Sequence, residues 1–172
     1  MSVNPQVSDK PKYDVIDEGL YGAKVARIIE LGDQDTKYGV KTQVVIGFTI
    51  PSATIEIDGV EKQKMMWTFP MNQTSNPDGK LMKYIKAIKA DATHMRQLIG
   101  ESCMLEIAHT VKGDDTYANI SNVTKPMAGM DIEDPDIDTF MYEFENGEDE
   151  VFELIGEYRQ NQVREAVNFG QG

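Results

Sequence analysis

Residues 20–50 read LYGAKVARIIELGDQDTKYGVKTQVVIGFTI, two strand-like runs either side of a turn-rich loop. In the first run Tyr21, Ala23, Val25, Ile29 and Leu31 recur at odd positions, with Lys24 and Glu30 between them. A two-residue apolar period puts one strand face into a core and leaves the other toward solvent. After the loop from Gly32 to Gly39, Lys41 to Ile50 resumes the alternation, with Val44, Ile46, Phe48 and Ile50 on one face and Gln43 and Thr49 on the other. The pair predicts a long antiparallel hairpin.

Working outward, Pro51 is expected to end the second strand, and Asp58-Gly59 to turn the chain into a third strand from Lys62 to Phe69. Residues 70–79 form a Pro-, Asn- and Gly-containing loop. From Lys80 to Ala90 the period changes: Leu81, Tyr84, Ile85 and Ile88 recur at three and four, which predicts a short amphipathic helix. A second helical turn is expected within Ala92 to Leu98, closed by Gly100. Ser102 to Val111 alternates again, with Cys103, Leu105, Ile107 and Val111 on one face. Gly113-Asp114-Asp115 turns it into a fifth strand from Thr116 to Val123. Three strands, a helix and two strands make the expected fold mainly β: a five-stranded OB-fold-like antiparallel barrel with its helix between strands 3 and 4. A five-stranded sandwich has the same element order.

Two appendages flank this unit. Residues 1–18 are polar, contain two prolines and show no period, so they read as an N-terminal arm, with order expected from Gly19. Residues 19–125 form the barrel domain, and residues 126–172 an acidic extension. Of the 172 residues, 17 are basic and 29 acidic, for a formal net charge of −12. The charge is unevenly spread: residues 1–125 carry 15 basic and 16 acidic residues, residues 126–172 carry 2 and 13. The first block is nearly neutral and leaves room for a basic groove, whereas the extension would be repelled by phosphates. Within it, residues 126–138 lack a packing period and read as a linker. Residues 148–168 are expected to form a last helix, with Val151, Leu154, Ile155, Tyr158 and Val163 roughly on one face and Gly156 weakening it. Phe140, Tyr142, Phe144 and Phe152 are out of place in a purely solvating tail, so it is expected to dock onto something.

Several function classes recede on these grounds. A single cysteine, Cys103, forms neither an intrachain disulfide nor a cysteine-based zinc site. No apolar run approaches the ~20 residues of a membrane span, and no basic-then-apolar leader opens the chain, so the host cytoplasm is the expected location and no membrane partner is expected. There is no Lys-Ser/Thr phosphate loop, nucleophile elbow or His-Glu-x-x-His motif, and His94 and His109 lie on different elements, so the chain does not read as an enzyme. The acidic run 131–138 resembles a calcium loop only superficially, since it lacks the sixth-position Gly and the closing Glu. Neither a metal nor a cofactor is expected.

The basic and aromatic residues of the barrel are more informative. Lys37, Tyr38 and Lys41 lie in and after the first hairpin turn. Lys62, Lys64 and Trp67 belong to the third strand, Lys83 and Lys86 to the helix, and Tyr117 to the fifth strand. Cations that follow a phosphate backbone and aromatic faces that stack on bases are the parts that bind single-stranded nucleic acid. The helix lysines read equally as a solvated face, and Met65, Trp67 and Phe69, which share a strand face, as core packing.

The local words are more specific than the pattern. Glu18-Gly19-Leu20-Tyr21-Gly22-Ala23-Lys24-Val25, the turn Ile28-Ile29-Glu30-Leu31-Gly32-Asp33-Gln34-Asp35-Thr36 and the strand Lys41-Thr42-Gln43-Val44 with Phe48 resemble the opening of a family of tailed-phage replication-associated proteins. Leu98-Ile99-Gly100-Glu101-Ser102-Cys103-Met104-Leu105 and Thr116-Tyr117-Ala118-Asn119-Ile120 are similar to that family's fourth and fifth strands. The resemblance runs from about Gly19 to Lys125. It implies an OB-fold that binds single-stranded DNA, with the acidic extension recruiting replication or recombination proteins.

The leading expectation is therefore a phage protein that coats single-stranded DNA non-specifically by electrostatics and stacking. Its extension, through Asp131, Glu133, Asp134, Asp136, Asp138, Glu148, Asp149 and Glu150, would compete with DNA or present itself to a partner. The alternative is a protein-interaction module, a phage inhibitor of a host factor or a virion-associated protein, built on the same barrel. Either could form a homo-oligomer.

Overall fold

The computed structural model describes residues 15–170. Its centre is β1 (Gly19–Thr36) and β2 (Gly39–Ile57), paired antiparallel from Lys24↔Thr49 to Thr36↔Gly39. β3 (Val60–Trp67) adds beside β2, while β5 (Ser102–Lys112) pairs with β1 and β6 (Asp115–Thr124) with β5. The resulting order, β3-β2-β1-β5-β6, is a curled antiparallel sheet, a half-barrel whose edge strands β3 and β6 approach one another without a hydrogen-bonded ladder. A two-residue strand, β4 (Met71–Asn72), pairs with β2, and α1 (Lys80–Lys89) lies between β4 and β5 in the chain.

Two irregularities in the β1–β2 register, between Val25 and Arg27 and between Glu30 and Gly32, change which face each residue occupies. An extra residue in one strand reverses the alternation beyond it. Ala23, Val25 and Ile28 thus enter the core inside the curl, whereas Ile29 and Leu31 point into a separate cluster outside it. The single apolar face expected from the odd positions of β1 is in fact two. Nor does Pro51 end β2: the ladder with β3 skips from Ile50↔Lys64 to Thr54↔Gln63, and the proline sits in that irregularity, where its missing N–H costs no ladder bond. The Asp-Gly turn behaves as expected, with both Asp58 and Gly59 at positive φ (51° and 80°).

The inner core joins Val44, Ile46, Phe48 and Ile50 of β2 to Leu81, Tyr84 and Ile88 of α1 and to Cys103, Leu105 and Ile107 of β5. Val111, expected on the same face, is exposed near the hairpin tip. Burial pushes the Cys103 thiol up to about 12, so it behaves as a small apolar residue. Order begins before Gly19: Ile16 is buried, its carbonyl lies 2.8 Å from His109 Nε2, and Glu18 accepts from the His109 amide. The first 14 residues of the expected arm lie outside the described residues.

The largest departure concerns residues 126–170. The stretch read as a linker lies along the sheet, with Ile132 buried and Asp134 and Asp136 bonded to β1 and β3. Its course continues into β7 (Phe140–Tyr142), which pairs parallel with β1 at Arg27–Ile29, beyond Lys24 where the β5 ladder stops. In place of the single helix expected over 148–168 there is a 3-10 turn at Phe152–Leu154 and α2 (Glu157–Arg164), divided by Gly156 at φ +86°. Phe152, Ile155 and Val163 face the sheet, while Leu154 and Tyr158, expected beside them, are exposed. Among the described residues no helix is long and apolar enough to cross a membrane.

Candidate nucleic-acid interface

The β1–β2 hairpin tip, β4 and the start of α1 enclose a groove of about 330 Å³. Thr36, Tyr38, Lys41 and Gln43 form one side of it, and Pro70, Met71, Asn72, Thr74, Gly79 and Lys80 the other. Among the described residues no acidic side chain lines it, and neither Lys41 nor Lys80 has an ion-pair partner. Tyr38 is 77% exposed, with the Lys37 ammonium 5.1 Å from its ring centroid. The turn presents it this way because Thr36 anchors both arms: its hydroxyl donates to the Gly39 carbonyl and accepts from the Tyr38 amide. α1 starts at the groove with no side-chain cap on Gly79 and no acidic residue in its first turn. From Lys80, Lys83 and Lys86 follow at three-residue spacing along the exposed side of the helix.

Lys37, Tyr38 and Lys41 therefore come together at the hairpin tip, while Lys83 and Lys86 are exposed on α1 and do not line the groove. Lys80, which the sequence reading left out of the site, joins Tyr38 and Lys41 at the groove; its signal was the i, i+3 row it begins. Tyr117 is 49% exposed on β6, opposite Thr110, on a different strand pair. Lys64 pairs with Ile50, and Trp67 with Gly47, on opposite faces of β3, so they do not share one channel.

Trp67 and Lys62 lie under the C-terminal segment. The Trp67 ring packs against the outer cluster, with the Arg159 guanidinium 5.4 Å from its centroid. That ring passes over Gly47, where a Cβ would come within 2.9 Å of it. Residues 134–138 run across the neighbouring cations. Lys24 Nζ meets Asp134 Oδ1 at 2.5 Å, and Arg27 Nε donates to the Asp138 carbonyl at 3.0 Å. Lys62 Nζ donates to the Asp136 carbonyl at 3.3 Å, while Asp136 Oδ2 accepts from the Gln63 amide at 3.0 Å. Burial holds the Arg27 guanidinium below its ordinary value, opposed by the Asp138 charge.

The other acidic residues of the extension divide by role. Glu148 pairs with Arg164 at 2.9 Å and is held below the usual carboxylate range by that hydrogen bond. Asp149 accepts from the Phe152 amide, while Asp131, Glu133 and Glu150 are exposed. Among the described residues no group of three His, Cys, Asp or Glu side chains is placed to hold a metal ion. Comparison with known protein families and with curated proteins gives no match, so the geometry alone carries the functional reading.

Proposed function

We propose that the half-barrel is an OB-fold of a phage single-stranded DNA-binding protein, and that it holds DNA non-specifically, without catalysis, during replication or recombination. The observation that carries this reading is the groove, free of acidic residues among those described, in which exposed Tyr38 stands beside Lys41 and Lys80. A base stacked on an aromatic side chain contributes about 1–3 kcal/mol, and lysines tracking the phosphates add a salt-dependent term. An overall charge of −12 does not oppose this, since the acidic excess lies in residues 126–172.

The C-terminal segment fits the competition role through residues 134–138, which place carboxylates and carbonyls on Lys24, Arg27 and Lys62 as a phosphate backbone would. Truncation is a poor probe of this, because the same segment builds the outer cluster. Neutralising the carboxylates with Asp134→Asn and Asp136→Asn should strengthen binding of a short oligonucleotide several-fold at low salt in a gel-shift titration. Unchanged affinity overturns the competition. Failure of the unaltered protein to shift any oligonucleotide, with no weakening as salt rises, overturns DNA binding itself. One observation favours the protein-interaction reading instead: Trp67 is already covered by Arg159, and the covering segment exposes Leu154 and Tyr158 among acidic side chains.

A further inference from the structure

The floor of the groove is polar in a way that non-specific coating does not require. Gln43 of β2 and Asn72 of β4 are ladder partners, and Gln43 Nε2 donates to Asn72 Oδ1 at 3.1 Å. That bond leaves Gln43 Oε1 as an acceptor and Asn72 Nδ2 as a donor, neither with a partner among the described residues, and both side chains line the groove. The space, about 330 Å³, is at the lower end of small-ligand pockets and suits a single nucleotide.

We infer that this groove reads the edge of one base. Tyr38 takes the base face, and Lys41 and Lys80 take the flanking phosphates. The free acceptor and donor of the amide pair then meet a base edge offering an amino donor beside a ring-nitrogen acceptor. Adenine, with its 6-amino group next to N1 and N7, fits best, as it does in the common pairing of Asn and Gln side chains with that base. The protein on this account carries a base preference at one position within otherwise sequence-tolerant binding. The inference rests on the nucleic-acid reading above and deepens it.

The test compares fluorescence anisotropy of two labelled octamers at one salt concentration. One is all deoxyadenosine, and the other all 2′-deoxynebularine, which keeps the purine ring but lacks the 6-amino group. The full chain should bind the deoxyadenosine octamer roughly tenfold more tightly, because without the 6-amino group Gln43 Oε1 is left facing the base edge with no donor. In Gln43→Leu, checked for folding by circular dichroism, that difference should vanish while salt-dependent binding persists. Equal affinity of the two octamers in the unaltered protein, or a preference that survives Gln43→Leu, overturns the base reading and leaves DNA binding intact. If dAMP binds with Gln43 dependence and neither octamer binds, the strand reading falls and the base reading stands with a free nucleotide as ligand. If dAMP and both octamers all fail to bind, both fall.

Discussion

The two faces of the same sheet are buried by different means. Inside the curl, β2 and β5 meet α1, whose apolar stripe of Leu81, Tyr84 and Ile88 lies between β4 and β5 in the chain. Outside it, Ile29, Leu31 and Val45 are covered by Tyr142, Phe152, Ile155 and Val163, roughly a hundred residues away in sequence. The inner core belongs to the barrel pattern. The outer one depends on an acidic extension whose charge suggests a solvated tail, and whose four buried apolar and aromatic residues, with four more partly buried around them, outweigh that charge. A strongly charged segment can thus be a structural wall, with its carboxylates on the outside and its apolar side chains against the sheet.

The contrast is most open to attack at Phe152, which is fully buried in the outer cluster beside Tyr142, with ring centroids 5.7 Å apart. Phe152→Ala should cost about 3–5 kcal/mol, the range for truncating a buried aromatic. If both clusters belong to one cooperative unit, urea unfolding monitored at Trp67, which packs against that cluster, and by circular dichroism moves as a single transition. An early Trp67 transition with unchanged secondary structure would mean that the outer wall opens alone.

A smaller effect is expected at Gly32, which lies at φ +75° with the Phe144 ring where a Cβ would stand, 2.3 Å from the nearest ring carbon. Gly32→Ala should destabilise by about 2 kcal/mol through backbone strain and displacement of that ring. Combining it with Phe144→Ala should cost less than the two single changes together. Strict additivity in that double-mutant cycle would show that the ring does not close over Gly32.

The smallest effect concerns ionisation. Burial, joined by the charges of Asp149, Glu148 and Glu30, pushes Tyr142 up to about 12; burial does the same for Tyr84 in the inner core. A folded-state value above the unfolded one, ~10, means the stabilisation is complete below pH ~10 and is lost as pH rises toward 12. Tyr142→Phe removes the hydroxyl that donates to the Gly147 carbonyl at 2.6 Å, which should cost about 1 kcal/mol at neutral pH. It should also flatten the decline in stability above pH 10, leaving the share due to Tyr84. A decline identical to that of the unaltered protein would exclude Tyr142 as a contributor.

Much of the barrel was legible because its signals are local. The alternation of Val44, Ile46, Phe48 and Ile50, the Asp58-Gly59 turn and the change of period at Lys80 each act over a few residues. The outer cluster had one overlooked signal: Val44-Val45-Ile46-Gly47-Phe48-Thr49-Ile50 is almost continuously apolar, as expected of a strand covered on both faces. For the site, Tyr38 and Lys41 were readable from their place at a hairpin turn. Lys80 was readable only as the head of the helix lysine row; that it and the Gln43–Asn72 pair meet at this groove was not, since they join it only when β4 folds back onto β2. The partial covering of Trp67 by Arg159 had no local trace either.

The sequence by itself therefore determined the order of the five long strands and the helix α1 within residues 19–125, and the division of charge between that nearly neutral block and an acidic extension. Periodicity and turn chemistry are short-range properties, and charge can be counted. Only the tertiary structure decided that β1 serves two cores, that the extension completes the sheet edge beyond Lys24, and which lysines share a groove with Tyr38. Bulges that reverse a strand's faces, and contacts spanning a hundred residues, depend on how the whole chain packs.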